Sequence, residues 1–150
     1  MELEFFDEVG EALRALLPAT VGEWRYRARR YGLKVWFGTG EPTREHYEAQ
    51  VLSARHADGA ADLALEIGFH AEHPKRVDND EVIARLVSSE KRWRKVLGAD
   101  AVVGPFLGRP DDWRRVSETW PDPDLSDPEL AVEVALRLAD YITALTPFCR

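Results

Sequence analysis

The chain has 150 residues, 45% hydrophobic and 31% charged, the profile of one domain that buries its own core without a disulfide or metal staple. The net charge of −7 argues against a sequence-independent nucleic-acid binder, which carries a basic footprint. Cys149 is the only cysteine, so no intrachain disulfide forms, and no apolar run approaches the ~18 residues of a membrane span. With an acidic Met1-Glu2-Leu3-Glu4 start rather than a basic leader, the expectation is a cytoplasmic protein with no membrane partner.

Residues 3–17 repeat Phe5, Phe6, Val9, Leu13, Leu16 and Leu17 at three- and four-residue steps, which predicts an amphipathic helix stopped by Pro18. Glu2, Glu4, Asp7 and Glu8 crowd its start, where the helix dipole favours acids. In residues 24–37, Trp24, Tyr26 and Ala28 alternate with Arg25, Arg27 and Arg29, a strand pattern. Gly32 marks either a bulge or a tight turn within it. Residues 38–42 form a loop by composition.

Two further strands are expected at 45–53 and 62–72. In the first, Tyr47, Ala49 and Val51 share one face and His46, Glu48 and Gln50 the other. In the second, Leu63, Leu65, Ile67, Phe69 and Ala71 oppose Ala64, Glu66, Gly68, His70 and Glu72. If Asp58-Gly59 made a two-residue turn, opposed residue numbers would add to an odd value, and polar positions would face apolar ones. An odd-length loop near Asp58 keeps the faces matched. It sets His46 against His70, Glu48 against Gly68 and Gln50 against Glu66.

A helix is expected over 79–97, with Asp78 and Glu81 at capping-box spacing and Gly98 at its end. A hairpin follows, 101–107 with 113–120 around 108–112, in which Pro105 demands an edge or bulged strand. Ser126 or Asp127 caps a last helix from about 128 to 145. The fold class is therefore α+β: a single layered domain over 1–150, with a mostly antiparallel sheet of about five strands and three helices in the order α-β-β-β-α-β-β-α. Val87, Val132 and Leu136 lie off the main apolar stripes of their helices, which admits a homodimer.

Chemistry concentrates on one sheet face. His46, Glu48, Gln50, Glu66, His70 and Glu72 form the candidate ligand-binding set, since imidazoles and carboxylates on alternate strand positions are usable as ligands or as an acid–base pair. His73 falls one step off phase and His56 lies in the turn. No His-Glu-x-x-His, His-x-His or paired cysteines occur, so no metal, no cofactor and no catalytic residue is assigned from spacing. Gly68 makes room for a ligand or a neighbouring backbone. The basic strip Arg25, Arg27, Arg29, Arg30 and Lys34 is a second candidate, though alternation turns its aromatics away from its arginines. Ser117 beside Glu118 lacks a nucleophile elbow and reads as part of a strand.

The leading expectation is a non-enzymatic module that binds a protein or small ligand on the polar face around 46–50 and 66–72. The alternatives are a small metal-dependent or acid/base hydrolase using Glu48, Glu66, His70 and Glu72, and a weak nucleic-acid binder through 25–34. Whether the protein is an enzyme stays open on these residues alone.

Overall fold

The computed structural model describes residues 2–149, with side chains from residue 4 onward. Helix α1 (Glu2–Leu16) leads into strands β1 (Trp24–Arg29), β2 (Gly32–Phe37), β3 (Glu45–Ser53) and β4 (Leu63–Ala71). Helices α2 (Arg76–Val87) and α3 (Glu90–Leu97) follow, then β5 (Val102–Phe106), β6 (Arg109–Pro121) and α4 (Leu130–Leu145). The strands form one antiparallel six-stranded sheet in the order β1-β2-β3-β4-β6-β5. The α+β class and the antiparallel sheet agree with the sequence reading, and the finer counts differ at two places.

First, Gly32 opens a separate strand. The chain reverses at Arg30-Tyr31, so 24–37 is a hairpin with Arg29 opposite Gly32. Second, the helix expected over 79–97 starts at Arg76 and breaks at Ser88-Ser89. Serine competes with helical hydrogen bonding, and the Ser88 hydroxyl donates to the Arg85 carbonyl at 2.7 Å. The break frees the Leu86 carbonyl to accept the buried Trp93 indole N–H at 2.8 Å. A third, smaller difference is the β5–β6 turn. It is tighter than expected, at Leu107-Gly108, and the irregularity falls between Pro105 and Phe106.

The even register is realised: His46 faces His70, Glu48 faces Gly68 and Gln50 faces Glu66. One face of the sheet therefore collects Leu33, Val35, Tyr47, Ala49, Leu65, Ile67 and Phe69. Phe6, Val9 and Leu13 of α1 and Val134, Leu138 and Ile142 of α4 close over them to make the core. Burying each of the Val, Leu, Ile and Phe side chains among them contributes about 1.5–3 kcal/mol. Gly10 belongs to this contact, because a Cβ there would sit 2.6 Å from Cζ of Tyr26 on β1.

The opposite face is not a flat solvated surface. The β5–β6 hairpin curls over it, so the Phe106 ring lies 4.6 Å from that of His70 and 5.2 Å from Trp113, both edge-on. Gly108 at its tip lies against His56. The close approach of β6 depends on Gly68, where an added Cβ would stand 2.6 Å from Ser117 Cα. Gly68→Ala should cost about 1–3 kcal/mol, because the clash is with backbone. Gly104→Ala, which meets nothing within 4 Å, should be near neutral. Urea denaturation of the two variants against the parent checks this.

Candidate functional site

Alternation along β3 and β4 delivers His46 and Glu48 from one strand and Glu66, His70 and Glu72 from the segment beside it. The register makes them neighbours. His46, Glu66 and His70 are at most 2% exposed, so the candidate set lies in a buried cluster with Glu48 and Glu72 at its half-covered rim.

The hydrogen bonds at the cluster's periphery decide which imidazole nitrogens look inward. His46 Nδ1 lies 2.8 Å from the Thr43 carbonyl oxygen, which can only accept, so Nδ1 carries the proton. His70 Nε2 lies 3.0 Å from Glu66 Oε2. Glu66 also accepts from Gln50 Nε2 at 2.7 Å and from the Ser117 hydroxyl at 2.6 Å. It behaves as an ionised acceptor throughout, and His70 Nε2 is the donor. The nitrogens left over are His46 Nε2 and His70 Nδ1.

These two converge on two carboxylate oxygens. His46 Nε2 is 3.1 Å from both Glu48 Oε1 and Glu72 Oε2. His70 Nδ1 is 3.4 Å from the same two atoms. The four atoms all lie within 4.8 Å of one another. His70 Nδ1 is buried yet makes no hydrogen bond. Its two carboxylate neighbours are in ion-pair range without hydrogen-bond geometry, so what they supply is charge attraction.

Each group's protonation follows from this enclosure. Burial opposes a charge on His46, but its bonds to Glu48 and Glu72 outweigh that and raise its pKa above the usual value. Burial likewise opposes a charge on His70, but the Glu66 carboxylate and then the other two acids push it well above. Burial raises Glu66, and the charge and hydrogen bond of His70, with Ser117 and Gln50, more than reverse this, bringing it to about 2. Burial raises Glu72 too, but the His46 and His70 imidazoles beside it reverse this and bring it to about 2. Glu48 is lowered for the same reason.

Ser117 and Arg115 complete the arrangement and were not singled out as site residues by sequence reasoning. Arg115 donates to the Ser117 hydroxyl at 2.8 Å and to the Pro105 carbonyl at 3.0 Å. Their signal is parity: Arg115 is opposite His70 and Ser117 opposite Gly68, so both share the polar face. Glu118 points the other way, to Arg137, Tyr141 and the Trp120 indole, which separates it from Ser117. Two histidines stay outside. His73 pairs with Glu45 at 2.8 Å, and His56 lies by the hairpin tip. On β1 the arginines project outward while Tyr26 packs on α1, so no aromatic platform accompanies the basic strip on that strand.

The chain matches no family model, no curated protein and no solved structure. No helix among the described residues is long and apolar enough to cross a membrane. Function is therefore read from the site.

The shifted groups set a pH profile for the protein in chelator. Raised histidines contribute stability that is complete below about pH 6.5 and is lost as pH rises through their folded values. Depressed carboxylates contribute stability present above about pH 4.3 and lost as pH falls toward their folded values. The melting temperature should therefore peak between about pH 4.5 and 6.5 and decline on both sides. The alkaline decline should shrink in His46→Gln. A flat profile from pH 6 to 9, on the order of one degree, would contradict the assignment.

Proposed function

We propose that the protein is a binding module for one divalent transition-metal ion, ligated by His46 Nε2, His70 Nδ1, Glu48 and Glu72. The observation that carries this reading is His70 Nδ1: a fully buried nitrogen without a hydrogen bond, aimed at the point where the other three ligand atoms gather. A buried polar atom left unsatisfied costs about 1–3 kcal/mol, and a metal bond satisfies it.

Three further features support the reading. Bonds of about 2.0–2.1 Å in a tetrahedral zinc site imply ligand–ligand separations of about 3.3 Å, and the four imidazole–carboxylate separations here run from 3.1 to 3.4 Å. Each imidazole is oriented by an acceptor on its far nitrogen, Thr43 carbonyl for one and Glu66 for the other, the outer-shell pattern that fixes metal-binding histidines. Charge also balances. Glu48, Glu66 and Glu72 face one guanidinium, Arg115, and a divalent cation neutralises the remainder. In its absence two imidazolium protons do the same work, so metal and protons compete. Two nitrogens and two oxygens suit zinc best, with manganese weaker by the usual order of affinities.

Calorimetry on dialysed protein should find one zinc site, with proton release that grows as pH is lowered from 8 to 6. Free zinc at 100 times the Kd should add about 2.7 kcal/mol to stability. Glu72→Gln and His70→Gln should lose most of the affinity. Glu66→Gln should lose about 10–100-fold through the orientation of His70, while Glu45→Gln should be unchanged. Equal zinc affinity in Glu72→Gln and the parent would overturn the proposal.

A further inference from the structure

Beside the histidine–carboxylate cluster, a cleft of about 380 Å³ opens on the outward side of β1–β3. This is the small end of the ~300–1,000 Å³ range of ligand pockets. Arg27, Arg29 and Lys34 line it, with Tyr31 and Pro42 as its apolar walls. Glu48 and Gln50 form the border with the cluster.

The charges in this cleft are unusually arranged. Lys34 is directly opposite Glu48 in the β2–β3 register, a placement that ordinarily yields a cross-strand ion pair. Glu48 is committed elsewhere, its Oε1 at 3.1 Å from His46 Nε2. Lys34 is half-buried and has no carboxylate partner among the described residues, and neither has Arg29. Arg27 meets Glu41 at 3.0 Å, on the loop at the rim. Two cations with no counter-charge thus face a space with apolar walls, in a protein whose net charge is −7.

We propose that this cleft binds a small organic anion, a carboxylate or phosphate monoester carried on a short apolar body. Lys34 and Arg29 meet the anionic group, and Tyr31 and Pro42 pack on the rest. A polyanion such as nucleic acid suits the surface less well. The rest of the protein, with its net charge of −7, repels it. The proposal does not depend on metal at the neighbouring cluster, and binding is expected in chelator as well as with zinc.

The test is a backbone-amide NMR titration in chelator at about 50 mM ionic strength, with phenyl phosphate and benzoate as separate probes. Saturable shifts at residues 31–34 and 48–51, with a Kd below about 1 mM for at least one probe, are expected. Saturation by one probe alone identifies the anionic group as phosphate or carboxylate. Lys34→Met should weaken binding by about tenfold or more, while Arg92→Gln, on α3, should leave it unchanged. The proposal is overturned if neither probe shifts these residues at about 10 mM, or if the two substitutions weaken binding equally. Binding of a thymidine oligonucleotide with no response to either probe also overturns it. Zinc affinity, measured on the same samples, reports separately on the metal reading.

Discussion

Glu66 is a carboxylate taken wholly out of water, and such a group is tolerated only when its lone pairs are met. Three donors meet them here: Gln50 from β3, His70 from its own strand and Ser117 from β6. Removing any of these would leave buried charge underused, so the three central strands are tied at one point. The same hydrogen bonds assign the histidine's proton. Because Glu66 takes the N–H of Nε2, Nδ1 of His70 is turned toward Glu48 and Glu72. A requirement of folding thereby sets the direction of the group that gives the site its chemistry.

The rest of the architecture serves this enclosure. α1 and α4 bury one face of the sheet and leave the other to be closed by the chain's own hairpin. β6 reaches the cluster because position 68 has no side chain. β5 and its turn then bring Phe106 over His70. The Phe106 ring packs on the imidazole without supplying a hydrogen-bond acceptor, and Nδ1 makes no hydrogen bond. Glu48 and Glu72 are the partly exposed members of the cluster, and Glu48 borders the cationic cleft. Metal-binding and anion-binding readings thus meet at a single side chain.

Much of this was legible in the sequence because strand periodicity is strict. Parity alone matched the polar faces of 45–53 and 62–72, set His46 against His70, and excluded His73 and His56 from the face. It also predicted that Glu48 would lie across from glycine. The helices at both ends were equally plain, since their apolar stripes are long. What periodicity does not carry is depth. Nothing in the alternation of β4 distinguishes an exposed polar face from one roofed by a hairpin that begins thirty residues later, so the sequence left open whether Glu66 and His70 line a pocket or a plain surface. Arg115 and Ser117 were hidden because the pairing of β6 with β4 joins segments separated by two helices. The break at Ser88-Ser89 was missed because both flanks carry good helix formers, and the Trp93 bond to the Leu86 carbonyl that spans it has no signal in the apolar stripe. The absence of a stringent ligand spacing argued against a metal, yet a site assembled across a strand pair needs register rather than spacing.

Outer acceptors, the Thr43 carbonyl and Glu66, dictate which nitrogen of each histidine faces the cluster. Histidine-selective ¹⁵N NMR with and without one equivalent of zinc tests this directly. Zinc is expected to bind His46 through Nε2, with its proton on Nδ1, and His70 through Nδ1, with its proton on Nε2. The ring nitrogens of His56 and His73 should be unaffected. Zinc that leaves His46 and His70 unchanged, or that binds either through the opposite nitrogen, would contradict this assignment.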